Sequence, residues 1–519
     1  MKAATLRTYI SVHTWVGLIA GFGLFIAFYA GAVTLFHEEL HAWETPLPQV
    51  ASAPQDPQQL IDAVLQAHPK AKEGFFLRLP SAFEPGMMLE FDERHFRLDA
   101  GGKLEEFEER SQLVDFIYRL HYTAGLPRGW GIYVLGVVCV LYGVALASGV
   151  IIYAPTFFKD LFALRIGKNI KRMWQDAHNA IGMLSLPFHL MYAWSSAVLA
   201  LGLVLLAPFQ YLVFDGKLLQ LVGPDINAAA PVKAAGVAAP LAPAAQLLAE
   251  VRRAVPGIEV STLSYRHAGD ANAQVQAYGH VQQQSVADMG AVVLNASSGQ
   301  VQRVMMPENF TPGTRFLRSL QALHFGSFGE LAVRWVYFIL GIAGAFLFYS
   351  GNLLWIEARR KRQKLVQPRS GRLMAQATLG VCLGCVAGVS AVFVLNKLGP
   401  AAQLPLWEER GYYAVFFACV LWAFARPPAR AAHELLVLCS VLTLAVPLAH
   451  WWRTGLNPLL ALLQGDPIVA GVAAIALLFA VAYWKMARAV LHRGRHGDPH
   501  SVWSLRPPAS AQQTMQQAA

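Results

Sequence analysis

Long apolar runs, interrupted by two polar stretches, set the pattern of this chain. Runs at about 9–36, 130–154, 179–207, 331–356, 373–395, 411–425, 433–450 and 467–487 carry few charges, and about 20 apolar residues in a helix span a bilayer core. The pattern predicts eight membrane helices, the sixth being the shortest. The first run is expected to be retained rather than cleaved, because Phe36, His37 and Glu38 stand where a signal-peptide cleavage site needs small residues.

The two polar segments, about 37–129 and 208–330, share a plan. In the first, QQLIDAVLQAHPKA has helical periodicity, and FFLRLP, MMLEFDE and HFRLDAGGKLEEF alternate like strands around an Asp-Ala-Gly-Gly turn. In the second, AAQLLAEVRRAVPGIE is the helix and VSTLSYRH, AQVQAYGH and AVVLNASSGQVQRV are the strands. Each segment predicts a small α+β unit, the second preceded by the Ala/Pro-rich linker AAAPVKAAGVAAPLAPA.

The helices repeat as well. Run one opens His13-Thr-Trp-Val-Gly17 and run three opens His178-Asn-Ala-Ile-Gly182. Runs two and four are each preceded by an amphipathic segment ending in Leu-His-aromatic, with His121 in YRLHYTAG and His324 in QALHFGSF. The core is therefore one unit, helix, polar domain, Leu-His segment, helix, used twice. The last four runs carry no second copy.

Composition agrees with this reading: 55% hydrophobic residues, 14% charged and a mean hydropathy of +0.39 describe a polytopic membrane protein. The net charge of +10 excludes nothing by itself, but its basic residues sit in short loops. Lys159, Arg165, Lys168, Lys171 and Arg172 follow run two, and EARRKRQKLVQPRSGR follows run four. Arg426 and Arg430 follow run six, and Arg488, Arg493 and Arg495 follow run eight. Every second loop is basic, which places both termini in the cytoplasm and, in a Gram-negative inner membrane, the polar segments in the periplasm. A nucleic-acid partner is not indicated. Cys139, Cys382, Cys385, Cys419 and Cys439 all fall in apolar runs, so packing outweighs a disulfide framework or redox role, even for the CxxC at 382–385. Without CxxCH, covalent haem attachment is excluded; without a strand-linked GxGxxG or a P-loop, no NAD(P)H, FAD or ATP site is recognisable. Electrons moved by such a chain would come from quinol or a separate flavoprotein.

The matched histidines sort into two layers, His13 with His178 on the cytoplasmic side and His121 with His324 on the outer side. Two imidazoles from facing helices and an apolar slot are what haem b requires, and a four-helix bundle supplies them. Two such haems would carry electrons across the membrane. A lone histidine at a helix end is more often interfacial, and small helical residues are more often packing contacts; placement in both repeats is what singles these four out. His189 lies eleven residues beyond His178 on the same side of the helix, about 16 Å along it. It is an alternative axial ligand or a hydrogen-bonding residue. His37 and His41 read as surface residues, as do His68, His95, His267 and His280 in the polar segments.

His-x-Trp-x-Gly-Leu opening the first helix, Phe-His-Glu-Glu-Leu closing it, HNAIGMLSLPFHL in the third and the Leu-His-aromatic segments together resemble the PepSY-associated transmembrane proteins, the iron-regulated inner-membrane group that includes siderophore reductases. The resemblance covers roughly residues 5–365. It implies a helix at 1–36, a PepSY-like periplasmic domain at 37–129, helices two and three within 130–207, a second such domain at 208–330 and helix four at 331–356. A linker at 357–372, four further helices at 373–488 and a tail at 489–519 complete the chain. It further implies b-type haems in the bundle and electrons passed to ferric siderophore, with membrane lipid, an electron donor and other iron-uptake proteins as partners. Arg128, Trp130, Arg315 and Arg318 are candidates for contacting haem propionates or an acidic chelate, or for anchoring at the interface. Readings from other classes are a siderophore or metal transporter, and an envelope sensor or inhibitor without redox activity.

Overall fold

A computed structural model describes residues 2–44, 56–81, 83, 86–107, 111–157, 165, 169–230, 232–281, 286–287, 289–361 and 367–506. Lys159 and Lys168, residues 362–366 of the basic linker and the tail beyond 506 lie outside the described residues.

Helices α1 (Ala3–Thr34) and α2 (His37–Glu44) are followed by α3 (Pro57–Ala67) and strands β1 (Gly74–Arg78), β2 (Met88–Phe91), β3 (Arg94–Leu98) and β4 (Leu104–Phe107). Next come α4 (Leu113–Thr123), α5 (Arg128–Tyr153), α6 (Ile170–Leu184), α7 (Leu186–Leu212), α8 (Leu218–Ile226) and α9 (Ala244–Ala254). Strands β5 (Glu259–Arg266), β6 (Gln274–His280), β7 (Met289–Asn295) and β8 (Val301–Met305) lead to α10 (Pro312–Phe325) and α11 (Glu330–Ala358). The last part holds α12 (Arg369–Thr378), a π-helical turn (Leu379–Leu383), α13 (Gly384–Leu398), α14 (Leu404–Ala425), α15 (Pro428–Thr454), α16 (Pro458–Leu463) and α17 (Pro467–His496).

The chain divides into two compact units, one formed by 1–44, 110–201 and 335–519, the other by 45–109 and 202–334. In the second unit, the two polar segments build one sheet. Its order is β4-β3-β2-β1-β5-β6-β7-β8, antiparallel throughout. The seam is the β1–β5 pair, where Leu77 faces Leu263, both fully buried. Helices α3 and α9 lay Leu60, Ile61, Val64, Leu247 and Val251 on this sheet, in one core with Phe75, Phe96 and Val275. Asp56 starts α3 by accepting from the Gln58 N–H, with Pro57 at the first helical position. Thr311 and Pro312 start α10 in the same way.

Among the described residues, seven helices are long and apolar enough to cross a membrane: Ala3–Thr34, Arg128–Thr156, Leu186–Leu212, Glu330–Ala358, Arg369–Leu398, Pro428–Thr454 and Pro467–His496. The eight expected from the sequence are thus reduced by one. The run at 411–425 belongs to α14, whose second turn carries Glu408, Glu409 and Arg410, leaving too few uncharged residues for the hydrocarbon core. Even so, α14 is tied to the preceding helix at both ends. Glu408 accepts from Asn396 Nδ2, and Gln376 Nε2 donates to the carbonyls of Phe424 and Arg426. Asn396 and Gln376 are about 30 Å apart along a helix.

The repeated helices of the first unit meet at Phe28 of α1. Its ring lies 5.9 Å from Tyr142 of α5, 5.9 Å from His189 and 5.7 Å from Tyr192 of α7, and 5.2 Å from Phe348 of α11, centroid to centroid. The five cysteines are buried and form no disulfide.

Candidate functional site: paired imidazoles

α1 and α6 carry His13 and His178 to each other. Their ring centroids are 6.2 Å apart at an interplanar angle of 80°. The Nδ1–H of His13 donates to the Ala145 carbonyl at 2.8 Å, and that of His178 to the Leu347 carbonyl at 3.1 Å. A carbonyl can only accept, so the proton of each neutral ring sits on Nδ1 and the lone pair on Nε2. Among the described residues nothing is hydrogen bonded to either Nε2.

The surroundings are duplicated too. Ser148 Oγ lies 3.4 Å from His13 Nδ1, and Ser350 Oγ 3.4 Å from His178 Nδ1. Glycine follows each serine. A Cβ on Gly149 would stand 3.1 Å from His13 Cε1, and one on Gly351 would stand 3.2 Å from His178 Cε1, tighter than ordinary van der Waals contact. Sequence reading missed these four residues. The signal was Ala145-Leu-Ala-Ser148-Gly149 in run two and Leu347-Phe-Tyr-Ser350-Gly351 in run four, visible only when the two runs are aligned.

His121, on α4, follows the same rule: its Nδ1–H donates to the Ala27 carbonyl at 2.8 Å, and it rests against Gly31, where a Cβ would come within 2.5 Å of Nδ1. His324 lies near the end of α10 in the other unit and is buried. The left-handed residues Ala124 and Gly326 end these two helices just past the histidines.

His189 is different. Ser185 Oγ gives its hydrogen to the Ile181 carbonyl, so it accepts from His189 Nε2–H at 3.0 Å, and Nδ1 accepts from the Tyr142 hydroxyl at 2.5 Å. Both ring nitrogens are committed inside the bundle.

Of the residues considered for propionate or chelate contact, Arg128 and Trp130 are exposed at the start of α5. Arg315 donates to the Pro307 carbonyl and Arg318 to Gln321, both within the second unit. Two residues before His178, buried Asp176 is gripped by Arg165 at 2.7 and 2.8 Å. The guanidinium holds this carboxyl below the usual carboxylate range, with burial acting the other way. His41 is bonded to the buried Glu44 at 2.6 Å, and His37 to Asp115.

No group of three or more His, Cys, Asp or Glu suited to a bare metal ion occurs among the described residues. The pair can instead hold something between two rings. With both Nε2 lone pairs unengaged and the rings 6.2 Å apart, this pair offers the two imidazole donors that a haem iron would take. The backbone carbonyls on Nδ1 are the outer partners that a ligating histidine needs.

A multi-pass membrane bundle of two repeats, carrying matched histidines, in a chain that also forms an antiparallel sheet, is the class these features define. The chain belongs to the family described as the PepSY-associated TM region, which matches residues 10–358. It is also similar to an uncharacterized protein of Pseudomonas aeruginosa, at 27% identity over 421 residues, covering 75% of this chain and 99% of the relative. The family match ends with α11, before the last helices.

Proposed function

We propose that this protein is a haem b-containing electron-transfer protein of a bacterial inner membrane that reduces ferric siderophore in the periplasm and so releases Fe(II). The observation that carries the reading is the pairing of His13 and His178, from equivalent places in two repeats, with ring centroids 6.2 Å apart. These two residues would hold one haem, and His121 would serve a second, outer one. A haem bound there supplies a site that accepts and gives up single electrons.

The protein's part is positional. The Ala145 and Leu347 carbonyls fix each ring's tautomer and orientation and raise the basicity of Nε2. Gly149 and Gly351 let the α5 and α11 backbones come close enough to do so. The aromatic group around Phe28 keeps water out of the bundle centre. The donor would be quinol or a separate flavoprotein. Hard oxygen chelators hold Fe(III) tightly and Fe(II) poorly, so one added electron is enough to release the metal.

Optical spectra of detergent-purified protein, oxidised and dithionite-reduced, with a pyridine haemochrome count, test this on the wild type, His13→Ala and His178→Ala. The expected result is low-spin haem b, with each variant losing the same haem. A colourless wild type, produced with haem available, would sink the reading and leave a transporter or an envelope sensor.

A further inference from the structure

Where α2, α4, α13, α14 and α15 meet, a second group of buried polar side chains stands apart from the histidine pair. Glu44, Ser111, Asn396, Lys397, Glu408 and His450 are all under one-tenth exposed. Ser111 Oγ lies 3.0 Å from Glu44 Oε2 and 2.8 Å from Glu408 Oε1. It also receives N–H donors from Leu113 and Asn396. The hydroxyl has one hydrogen for two carboxylate oxygens. If both carboxyls were charged, one of these contacts would set oxygen lone pairs against each other in a buried site. One proton added to the pair removes one of the two facing negative charges and with it that opposition.

Charge count points the same way. Lys397 Nζ donates to the Trp43 and Glu44 carbonyls at 2.6 and 2.9 Å and lies 4.0 Å from the Trp43 ring centre. Among the six buried side chains two carboxylates face one ammonium, and the excess negative charge is cancelled by a proton on the pair or by a charged His41 on Glu44. Burial pushes the Glu408 carboxyl up, against its hydrogen bonds from Asn396, Gln112 and Ser111. The other charged or titratable groups around the pocket are His41 on Glu44, Arg453 and Asp466 near Lys397 and His450, and His450 itself.

A further observation is independent of the carboxylates. His450 stacks on Trp43 at 5.1 Å, and neither of its ring nitrogens has a partner; Asn396 Oδ1 is likewise buried and unpartnered. Native interiors rarely leave such atoms without partners unless an exchangeable small polar species serves them.

We propose that Glu44, Ser111 and Glu408 share one proton at neutral pH, making this pocket a proton-loading site at the start of the helix that carries His121. The site sits on that helix's N-terminus: Gln112 N–H donates to Glu408 Oε2 and Val114 N–H to Glu44 Oε2. Loading adds one proton to the carboxylate pair and unloading returns it, with no other reactant. The proposal does not depend on the haem reading.

Infrared spectroscopy of the full-length protein at neutral pH, in H2O and D2O, tests it through the carbonyl stretch of a protonated carboxyl. The wild type should show an H/D-sensitive band that disappears in both Glu44→Gln and Glu408→Gln, because removing either carboxyl removes the need for the shared proton. Glutamine keeps the shape and can still bond Ser111, and a single symmetric peak on gel filtration would verify folding of each variant. Loss of the band in one variant only would mean an isolated protonated acid, and would overturn the sharing. No band, or one that survives in both variants, would leave the cluster a plain ion-pair anchor and overturn the proposal.

Discussion

The two repeats agree at one level of the bundle and part company at another. At the inner level they coincide: His13 with Ala145, Ser148 and Gly149 has its counterpart in His178 with Leu347, Ser350 and Gly351. Eleven residues on they diverge. His189 is bound by Tyr142 and Ser185, whereas the matching place in the first repeat is the buried Leu24. On the flank they diverge again, because the last helices seat their aromatic and polar side chains on α2 and α4 of the first repeat, through Phe116–Tyr412 and Lys397–Glu44 contacts. A duplicated scaffold has kept its symmetry where two rings must meet. It has given the symmetry up where only packing is at stake.

Substitutions at matched places therefore read out how deep the equivalence runs. The largest effect is expected from Gly149→Val and Gly351→Val, which force a branched side chain against an imidazole already about 3 Å away. Each should abolish haem binding at the shared site, measured by haemochrome content, and a loss in only one would break the equivalence. Next are Leu77→Ala and Leu263→Ala, partners across the sheet seam, each costing about 2–5 kcal/mol as large-to-small core changes do. Chemical unfolding should give similar losses for both. His189→Leu leaves the Tyr142 hydroxyl buried without its acceptor, for about 1–3 kcal/mol, yet haem content should be retained. Loss of haem in that variant would make His189 a ligand after all.

The smallest effect concerns pH. Asp270 accepts N–H bonds from Ala235, Gly236 and Asn272, and these backbone donors hold its carboxyl below the ordinary range. Because its folded pKa is depressed, its contribution is present above the usual carboxylate pKa of about 4 and fades as pH falls through the lower folded value. Amide exchange at Ala235 and Gly236 should rise, relative to the intrinsic rate, only in that acid window.

Much of this architecture was legible beforehand. Hydrophobic length revealed the spans, and the duplicated His-x-x-x-Gly opening revealed the repeat. The serine–glycine pairs escaped because small residues late in an apolar helix look like generic packing, and their meaning depends on a carbonyl one turn earlier. The helix over 404–425 was overcounted because its apolar stretch was read without the three charges at its start. The seam was unreadable: nothing local in GFFLR or EVSTLSYR says that these strands, nearly two hundred residues apart, pair with each other. The Glu44–Ser111–Glu408 contacts, with partners 67 and 297 residues apart, were hidden for the same reason. His41 and Glu44, in a segment that looked like surface, proved part of a buried network.

The strand order of the sheet is a palindrome, with the first strand of each half at its centre. Without the other half, each first strand would be an open edge, and pairing β1 with β5 closes both edges at once, as an isologous interface does. Neither polar segment can therefore complete its sheet alone, and a chain shortened to one of them would present an unpaired strand to any neighbour.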